Sequence, residues 1–335
     1  MKTKLEDLGK LAHELKKKGK FREAEEAYAR LLTIDSKNVY ALVGLGDLKR
    51  REKRFKEAVG YYTRCLETEK NNWHALAGLG DAWRGLRNID NALRAWYRCL
   101  SIRPDDLKII TRVADGLRKK GDIKNAKDYY QMALKKNPHD PYALMGLGLI
   151  AMKEEDDEHA LKFFEKLIET SPKQVIPLTS AANIFRKQKA FKKAIELYET
   201  ALRIDPGNSH AWHGKADCLR GMEEYLPAIE AWKTALRHGM DPSVALTRIG
   251  DAYLKLNNLD LAETNYKKAL ALGYNKYAYI GISNVHALKN HFQKALDVLS
   301  MLCQKEPDDE RISMVTRTFV ERYPALDHSP PLYAH

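Results

Sequence analysis

The chain has 335 residues, of which 44% are hydrophobic and 30% are charged, and its formal net charge is +12. This balance allows a large core and excludes a low-complexity disordered chain. No run approaches the roughly 18 apolar residues of a membrane span, the N-terminal segment lacks the apolar core of a secretory signal, and four scattered cysteines do not suggest a disulfide framework. We therefore expect a protein of the cytoplasm without a membrane anchor.

One internal repeat governs most of the sequence. An alanine recurs in nine segments, seven times after 34 residues and once after 33, at Ala24, Ala58, Ala92, Ala126, Ala160, Ala194, Ala228, Ala262 and Ala295. A small residue lies twelve positions before each alanine, and an aromatic residue lies four positions after it in eight of the nine segments. Such a constant period indicates repeated units that bury their apolar faces by stacking.

Each repeat has the pattern of two helices. Leu42, Leu45 and Leu48 recur at helical spacing in a first half, and Ala92 and Trp96 share a face in a second half. The small residues allow the helices to approach closely, so a large side chain at Gly80 or Ala92 should cost about 1–3 kcal/mol by overpacking. Polar residues that can cap the first helices stand at Asn38, Asn72, Asp106, Asp140 and Asn208.

The period, the small residue, the alanine, the aromatic residue and a proline near the end of five repeats resemble the tetratricopeptide repeat (TPR) family. The resemblance implies an all-α fold, a right-handed α-solenoid or superhelix of antiparallel helix pairs. Its nine units are 5–38, 39–72, 73–106, 107–140, 141–174, 175–208, 209–242, 243–275 and 276–309. Residues 1–4 are then an N-terminal extension, 310–323 a C-terminal capping helix and 324–335 a flexible tail.

Positive charge is concentrated at one end of the sequence. Residues 1–140 contain 32 Lys and Arg against 20 Asp and Glu, whereas residues 141–335 contain 25 of each. An acidic protein or peptide segment would be steered towards the basic half. A solvated helical surface explains the same charge without any partner. Nucleic acid is a weaker expectation, because acidic residues interrupt the basic runs and no RNA-binding motif is present.

Aspartate and arginine recur three residues apart in the first helices, which line the concave groove in TPR proteins. Residues three apart on a helix are neighbours, so these pairs should form rows along the groove. Two interpretations stay open: the rows brace successive repeats, or they present hydrogen-bonding groups to a bound peptide. The predicted partner-binding residues are Asp47, Arg50, Asp81, Arg84, Lys108, Arg112, Asp115, Arg118, Arg186, Asp217 and Arg220.

One TPR subclass clamps the C-terminal carboxylate of a partner, and Lys108 and Arg112 match the last element of that clamp. The preceding clamp positions hold Val43, Asp47 and Gly78 instead of Lys and two Asn, so the resemblance to the clamp is incomplete.

No motif of a nucleotide-binding loop, serine hydrolase or metalloprotease is present, and His74, His210 and His213 lack the spacing of a metal site. We therefore predict no enzymatic activity, no cofactor and no metal. The predicted function is a monomeric protein–protein interaction scaffold that holds a partner segment in its groove. The alternatives are nucleic-acid binding through residues 1–140 and self-assembly into a larger structure.

Overall fold

The computed structural model describes residues 2–323, with side chains from residue 7 onward, and this range is helical without any strand. Its nineteen helices are α1 (Lys2–Lys17), α2 (Phe21–Ile34), α3 (Val39–Arg51), α4 (Phe55–Thr68), α5 (Trp73–Gly85), α6 (Ile89–Ile102), α7 (Leu107–Lys120), α8 (Ile123–Lys136), α9 (Pro141–Lys153), α10 (Asp157–Thr170), α11 (Val175–Lys187), α12 (Phe191–Ile204), α13 (Ser209–Gly221), α14 (Tyr225–Arg237), α15 (Pro242–Lys255), α16 (Leu259–Ala271), α17 (Lys276–Leu288), α18 (Phe292–Lys305) and α19 (Glu310–Arg322). Helix α1 begins at Lys2 and so includes most of the predicted extension, whereas the predicted tail, 324–335, lies outside the described residues.

The chain divides into two compact units, which are described separately below. Unit 1 ends at Thr170 and contains α1 to α10, and unit 2 begins at Ser171 and contains α11 to α19. Within each unit the odd-numbered helices up to α17 pack against the even-numbered helix that follows them. The even-numbered helices α2, α4, α6 and α8 of unit 1 and α12, α14, α16 and α18 of unit 2 also pack against the next helix of their own unit. Each unit is therefore a stack of antiparallel helix pairs, as the predicted solenoid requires.

The ends of the helices follow the local sequence. All five predicted caps accept a hydrogen bond from the backbone N–H three residues further on, as Asn38 does from Ala41. The turn between the two helices of a pair contains one residue in the left-handed conformation, at the same repeat position each time: Gly19, Lys53, Arg87, Gly121 and Glu155 in unit 1, and Lys189, Glu223, Asn257 and Asn290 in unit 2. The same short turn therefore joins every pair.

The repeated aromatic residue is the centre of each repeat's core. Its side chain is fully buried at Tyr28, Tyr62, Trp96, Tyr130 and Phe164 in unit 1 and at Tyr198, Trp232 and Tyr266 in unit 2. The repeated alanine is buried as well, with Ala92 at 0% exposure. A Cβ atom on Gly80 would lie 2.3 Å from Nε1 of Trp96, which agrees with the predicted cost of a larger side chain there.

Helix α19 is the last described helix of unit 2. It packs on α18 through Ile312, which is fully buried, and through an aromatic contact between Tyr323 and Phe292 whose ring centroids lie 4.3 Å apart. A helix is therefore present over the range for which the sequence predicts a cap, and its role as a cap stays a prediction.

Candidate binding site on the first helices

The rows of charge on the first helices mainly join successive repeats. Three contacts run from a cation of one repeat to the aspartate of the next: Lys16 Nζ to Asp47 Oδ2 at 2.5 Å, Arg50 Nη1 to Asp81 Oδ2 at 2.5 Å, and Arg186 Nη1 to Asp217 Oδ2 at 3.0 Å. Three of the predicted pairs three residues apart are longer, at 3.5 Å for Asp47/Arg50, 3.6 Å for Asp81/Arg84 and 3.9 Å for Asp217/Arg220, and Asp115/Arg118 at 2.6 Å is the exception. These geometries support the bracing interpretation for Arg50 and Arg186.

Buried tyrosine hydroxyls hydrogen-bond to the Asp and Asn side chains of the same rows. The Tyr62 hydroxyl donates to Asp47 Oδ1 at 2.7 Å, and the equivalent hydroxyls of Tyr198 and Tyr266 donate to Asn183 and Asp251 at 2.6 and 2.8 Å. Burial raises the pKa of Tyr198 to about 12, and it also raises the pKa of Tyr62 and Tyr266. These hydroxyls therefore stay protonated and fix the orientation of the polar side chains above them.

The row is interrupted between the third and fifth repeats. The fifth repeat has Leu149 where the others have Asp or Asn, so Arg118 has no acid across the junction and instead contacts Asp115 of its own helix at 2.6 Å. Asp115 also contacts Lys119 at 2.8 Å. Asp115 is the acid that Arg84 would contact across its junction, but Arg118 and Lys119 already pair with it. Burial opposes the charge of Asp115, but hydrogen bonds from Lys119 and Arg118 outweigh it and lower its pKa.

Asp81 is the other acid at this interruption, and three arginines share it. Its side chain is only 3% exposed and lies 2.5 Å from Arg50, 3.1 Å from Arg112 and 3.6 Å from Arg84. Because Arg50 already neutralises the charge of Asp81, Arg84 and Arg112 give this part of unit 1 an excess of positive charge.

A cavity of about 490 Å³ lies at the interruption, and we call it the Arg112 pocket. Its polar wall contains Arg84, Lys108, Arg112, Asp115 and Arg118, and its apolar wall contains Tyr142, Met145 and Leu149. The structure thus brings together five of the eleven predicted residues. Among the others, Asp81 supports the pocket through Arg84 and Arg112, Asp47 and Arg50 brace unit 1, and Arg186, Asp217 and Arg220 lie in unit 2.

The predicted residues of unit 2 form a cluster around a half-buried histidine. His213 Nε2 lies 3.6 Å from Asp217 Oδ2, which is also the partner of Arg186. Burial lowers the pKa of His213 and, together with the charges of Arg186 and Arg248, outweighs the opposing effect of Asp217. Together with Asn183, these side chains border a cavity of about 400 Å³.

A coupling between two repeat positions explains why the helix of Arg112 can carry a large side chain at that position. Sixteen residues after Tyr28, Tyr62, Tyr130 and Tyr198, and fifteen after Tyr266, the next repeat has glycine, and a Cβ there would lie 2.1–2.4 Å from Cζ of that tyrosine. Trp96 and Trp232 are instead followed, sixteen residues later, by Arg112 and Arg248. We call these two arrangements the Tyr–Gly and Trp–Arg junctions.

The tryptophan ring takes a different direction from the tyrosine ring. The far edge of Trp96 lies against Gly116, where an added Cβ would be 3.2 Å from its Cζ3 atom. The small residue that contacts the ring is therefore at position 116, about one helical turn after position 112, and position 112 can carry a large side chain. Arg248 was not among the predicted site residues, although a tryptophan at the aromatic position sixteen residues earlier was a signal for it in the sequence.

The described residues contain neither a membrane-spanning helix nor a metal site. None of the helices within 2–323 combines the length and apolar character that crossing a membrane requires. In the same part of the chain, no three His, Cys, Asp or Glu side chains converge as metal ligands would.

The stacked helix pairs and the polar first-helix face define a helical-repeat protein, and sequence comparison places it in a family. One model described as tetratricopeptide repeat matches residues 10–68, 113–175 and 247–310, and a second with the same description matches 185–249. The chain belongs to the tetratricopeptide repeat family. Because repeats of this family are protein-interaction modules, its membership supports a protein-interaction scaffold.

Solved structures agree on the fold. The C-terminal part of a TPR repeat-containing protein from Cytophaga hutchinsonii is 17% identical, with a TM-score of 0.60 over 72% of this chain and 99% of that one. PilF of Pseudomonas aeruginosa is also 17% identical, with a TM-score of 0.53 over 67% of this chain and 98% of that one. No curated protein matches the sequence significantly.

Proposed function

We propose that the chain is a non-catalytic interaction scaffold whose Arg112 pocket binds an acidic segment of a partner protein. The supporting observation is the imbalance of charge around one cavity. Four cations, Arg84, Lys108, Arg112 and Arg118, line it together with one carboxylate, that of Asp115. An incoming carboxylate supplies the negative charge that the interrupted row lacks.

The composition of the pocket favours a peptide as the source of that carboxylate. Arginine presents a planar fork that can hold a carboxylate through two hydrogen bonds. Tyr142 is 72% exposed, and with Met145 and Leu149 it offers apolar surface beside the cations. A segment that combines acidic and apolar side chains would use both walls. The positive excess of residues 1–140 would speed its encounter with the pocket.

The test measures the binding of fluorescein-labelled hexaglutamate to the full chain by fluorescence anisotropy at low salt, with hexaglutamine as the neutral probe. The double variant Arg112→Gln/Arg118→Gln should weaken binding about tenfold or more, because hydrogen bonds to charged groups contribute about 1.5–3 kcal/mol each. Added salt should weaken the wild-type interaction as well.

A control variant removes the same charge elsewhere in unit 1. Arg22 on α2 and Arg94 on α6 are both exposed on second helices. Arg22→Gln/Arg94→Gln should bind hexaglutamate within about twofold of wild type, since only the overall charge changes. Equal losses in the two double variants would contradict a specific pocket and would indicate attraction by net charge alone.

The basic excess also supports a second candidate, nucleic-acid binding through residues 1–140. That function predicts retention on heparin with a steep dependence on salt, and equal sensitivity to both double variants.

The monomeric state and the cytoplasmic location remain parts of the proposal. Light scattering over a range of concentrations tests the first, since a mass that rises with concentration would indicate self-assembly, and imaging of the tagged protein in its native cell tests the second.

A further inference from the structure

The second Trp–Arg junction, in unit 2, also opens onto a cavity. A space of about 480 Å³ lies among α15, α17 and α19, and its wall includes Arg248, Asp251, Tyr277, Asn284 and Arg311. We call it the Arg248 pocket. Both Trp–Arg junctions of the chain therefore have a cavity of similar size beside their arginine.

The two arginines of this pocket are not braced in the way that Arg50 and Arg186 are. Within the described residues neither Arg248 nor Arg311 has a carboxylate at ion-pair distance, and both act on Asp251 only through their longer-range charge. The guanidinium of Arg311 lies 5.2 Å from the ring centroid of Tyr277, a contact that leaves its N–H donors available at the edge of the stack. Two partly hydrated guanidinium groups thus face one cavity.

Asp251 lowers the net positive charge of the Arg248 pocket. Its Oδ1 accepts the Tyr266 hydroxyl at 2.8 Å, so the carboxylate is fixed in the wall of the cavity. Its repulsion offsets part of the attraction of the two arginines, and the offset is larger for a phosphate dianion than for a singly charged carboxylate. Asp251 can also accept a backbone N–H of an extended peptide, and Asn284 can both donate and accept hydrogen bonds.

We propose that the Arg248 pocket is a second binding site of this chain, which takes an acidic side chain of a peptide segment between Arg248 and Arg311. Helix α19 then has two roles, since it covers α18 and also contributes one of the two arginines. The site shares its ligand chemistry with the proposed function of the Arg112 pocket, but it is built from different residues and is tested separately.

The experiment isolates the second site by working in the background Arg112→Gln/Arg118→Gln. The hexaglutamate that this variant still binds is measured by fluorescence anisotropy at low salt, and the part of it that substitutions at Arg248 and Arg311 remove reports the Arg248 pocket. Adding Arg248→Gln/Arg311→Gln should reduce this remaining binding about tenfold or more, because two charge-assisted contacts are lost. Circular dichroism and thermal unfolding check that each variant remains folded.

A matched control removes two arginines from second helices of the same unit. Arg203 on α12 and Arg237 on α14 each hydrogen-bond a threonine of their own helix. Arg203→Gln/Arg237→Gln in the same background should leave hexaglutamate binding within about twofold, which separates the pocket from the overall charge of unit 2.

Three outcomes would overturn the proposal: no measurable binding in the background variant, equal losses in the Arg248/Arg311 variant and its control, or displacement of the peptide by inorganic phosphate at concentrations below those at which acetate displaces it. The last result would identify a phosphate site. The proposed function of the Arg112 pocket is judged by a different comparison, wild type against Arg112→Gln/Arg118→Gln, so either proposal can fail alone.

Discussion

The Tyr–Gly and Trp–Arg junctions differ at one aromatic position, and this difference decides whether the next first helix can carry a side chain sixteen residues later. At a Tyr–Gly junction the ring end of the tyrosine occupies the space where the next helix would carry a side chain. At the first Trp–Arg junction the indole of Trp96 lies against Gly116, one turn further along, and position 112 carries arginine, as position 248 does after Trp232. The aromatic core residue therefore controls the charge that a repeat can present, although it is itself buried.

The largest loss of stability is expected when arginine is introduced at a Tyr–Gly junction. Gly78→Arg would place a Cβ 2.4 Å from Cζ of Tyr62, which lies in the core at 0% exposure. Displacing the ring should destabilise unit 1 by about 3–5 kcal/mol, comparable to losing a large aromatic side chain. Urea unfolding followed by circular dichroism measures the loss.

The same comparison predicts a rescue. Tyr62→Trp should restore more than about 1 kcal/mol in the Gly78→Arg background, because Ala82 is the small residue one turn beyond position 78, as Gly116 is beyond position 112. If the double variant is no more stable than Gly78→Arg alone, the direction of the ring does not explain the two junctions.

A smaller change isolates the steric part of the argument. Gly78→Ala should destabilise unit 1 by about 1–2 kcal/mol, since overpacking exceeds the gain in helix propensity. Gly60 on α4 is the matched control, because a Cβ there has no neighbour within 4 Å, and Gly60→Ala should stabilise by about 0.5–1 kcal/mol. Opposite signs in urea unfolding are the expected result, and a common sign would contradict it.

The aspartate next to the first Trp–Arg junction should matter more than its counterpart at the preceding repeat. Asp81 is 3% exposed and serves three arginines, whereas Asp47 is 27% exposed. Asp81→Asn should cost about 1–2 kcal/mol, a value reduced from that of a fully buried pair because the arginines remain partly hydrated, and Asp47→Asn should cost less than about 1 kcal/mol. Urea midpoints at low and high salt test this order, which equal or reversed losses would refute.

The smallest predicted effect is a difference in pH dependence between the two pockets. Hydrogen bonds from Lys119 and Arg118 lower the pKa of Asp115 against the opposing effect of burial, so its stabilisation is present above the unfolded pKa and is lost as the pH falls. Burial raises the pKa of Asp251, so its stabilisation is present in acid and is lost as the pH rises through the folded pKa.

Asn substitutions measure these two contributions. Near pH 7 Asp115→Asn should destabilise the protein, by less than about 1 kcal/mol, whereas Asp251→Asn should leave its stability equal or higher. Towards pH 3 the effect of Asp115→Asn should shrink, and Asp251→Asn should become the less favourable of the two changes. Urea unfolding at a series of pH values checks the sign, and parallel profiles for the two variants would contradict the assignment.

Much of the fold was predictable from the sequence because its determinants repeat. The 34-residue period, the alanine and the polar caps such as Asn38 each act through local or nearest-neighbour contacts, so a pattern seen nine times predicts the helix pairs and their N-caps directly. The candidate site was predicted in part: Arg84, Lys108, Arg112, Asp115 and Arg118 do line one cavity.

What the sequence determined by itself is the stack of helix pairs, since burial of the periodic apolar residues requires neighbours at a fixed spacing. Which charges are neutralised was decided only by the tertiary structure. Arginines of the first helices pair across a junction at Arg50 and within one helix at Arg118, and at Arg248 no described carboxylate lies at ion-pair distance. An ion pair forms only where both partners lie within a few ångströms, and that distance is set by the packing of the next repeat. The partner of each arginine therefore depends on residues such as Leu149 and on the direction of the Trp96 ring.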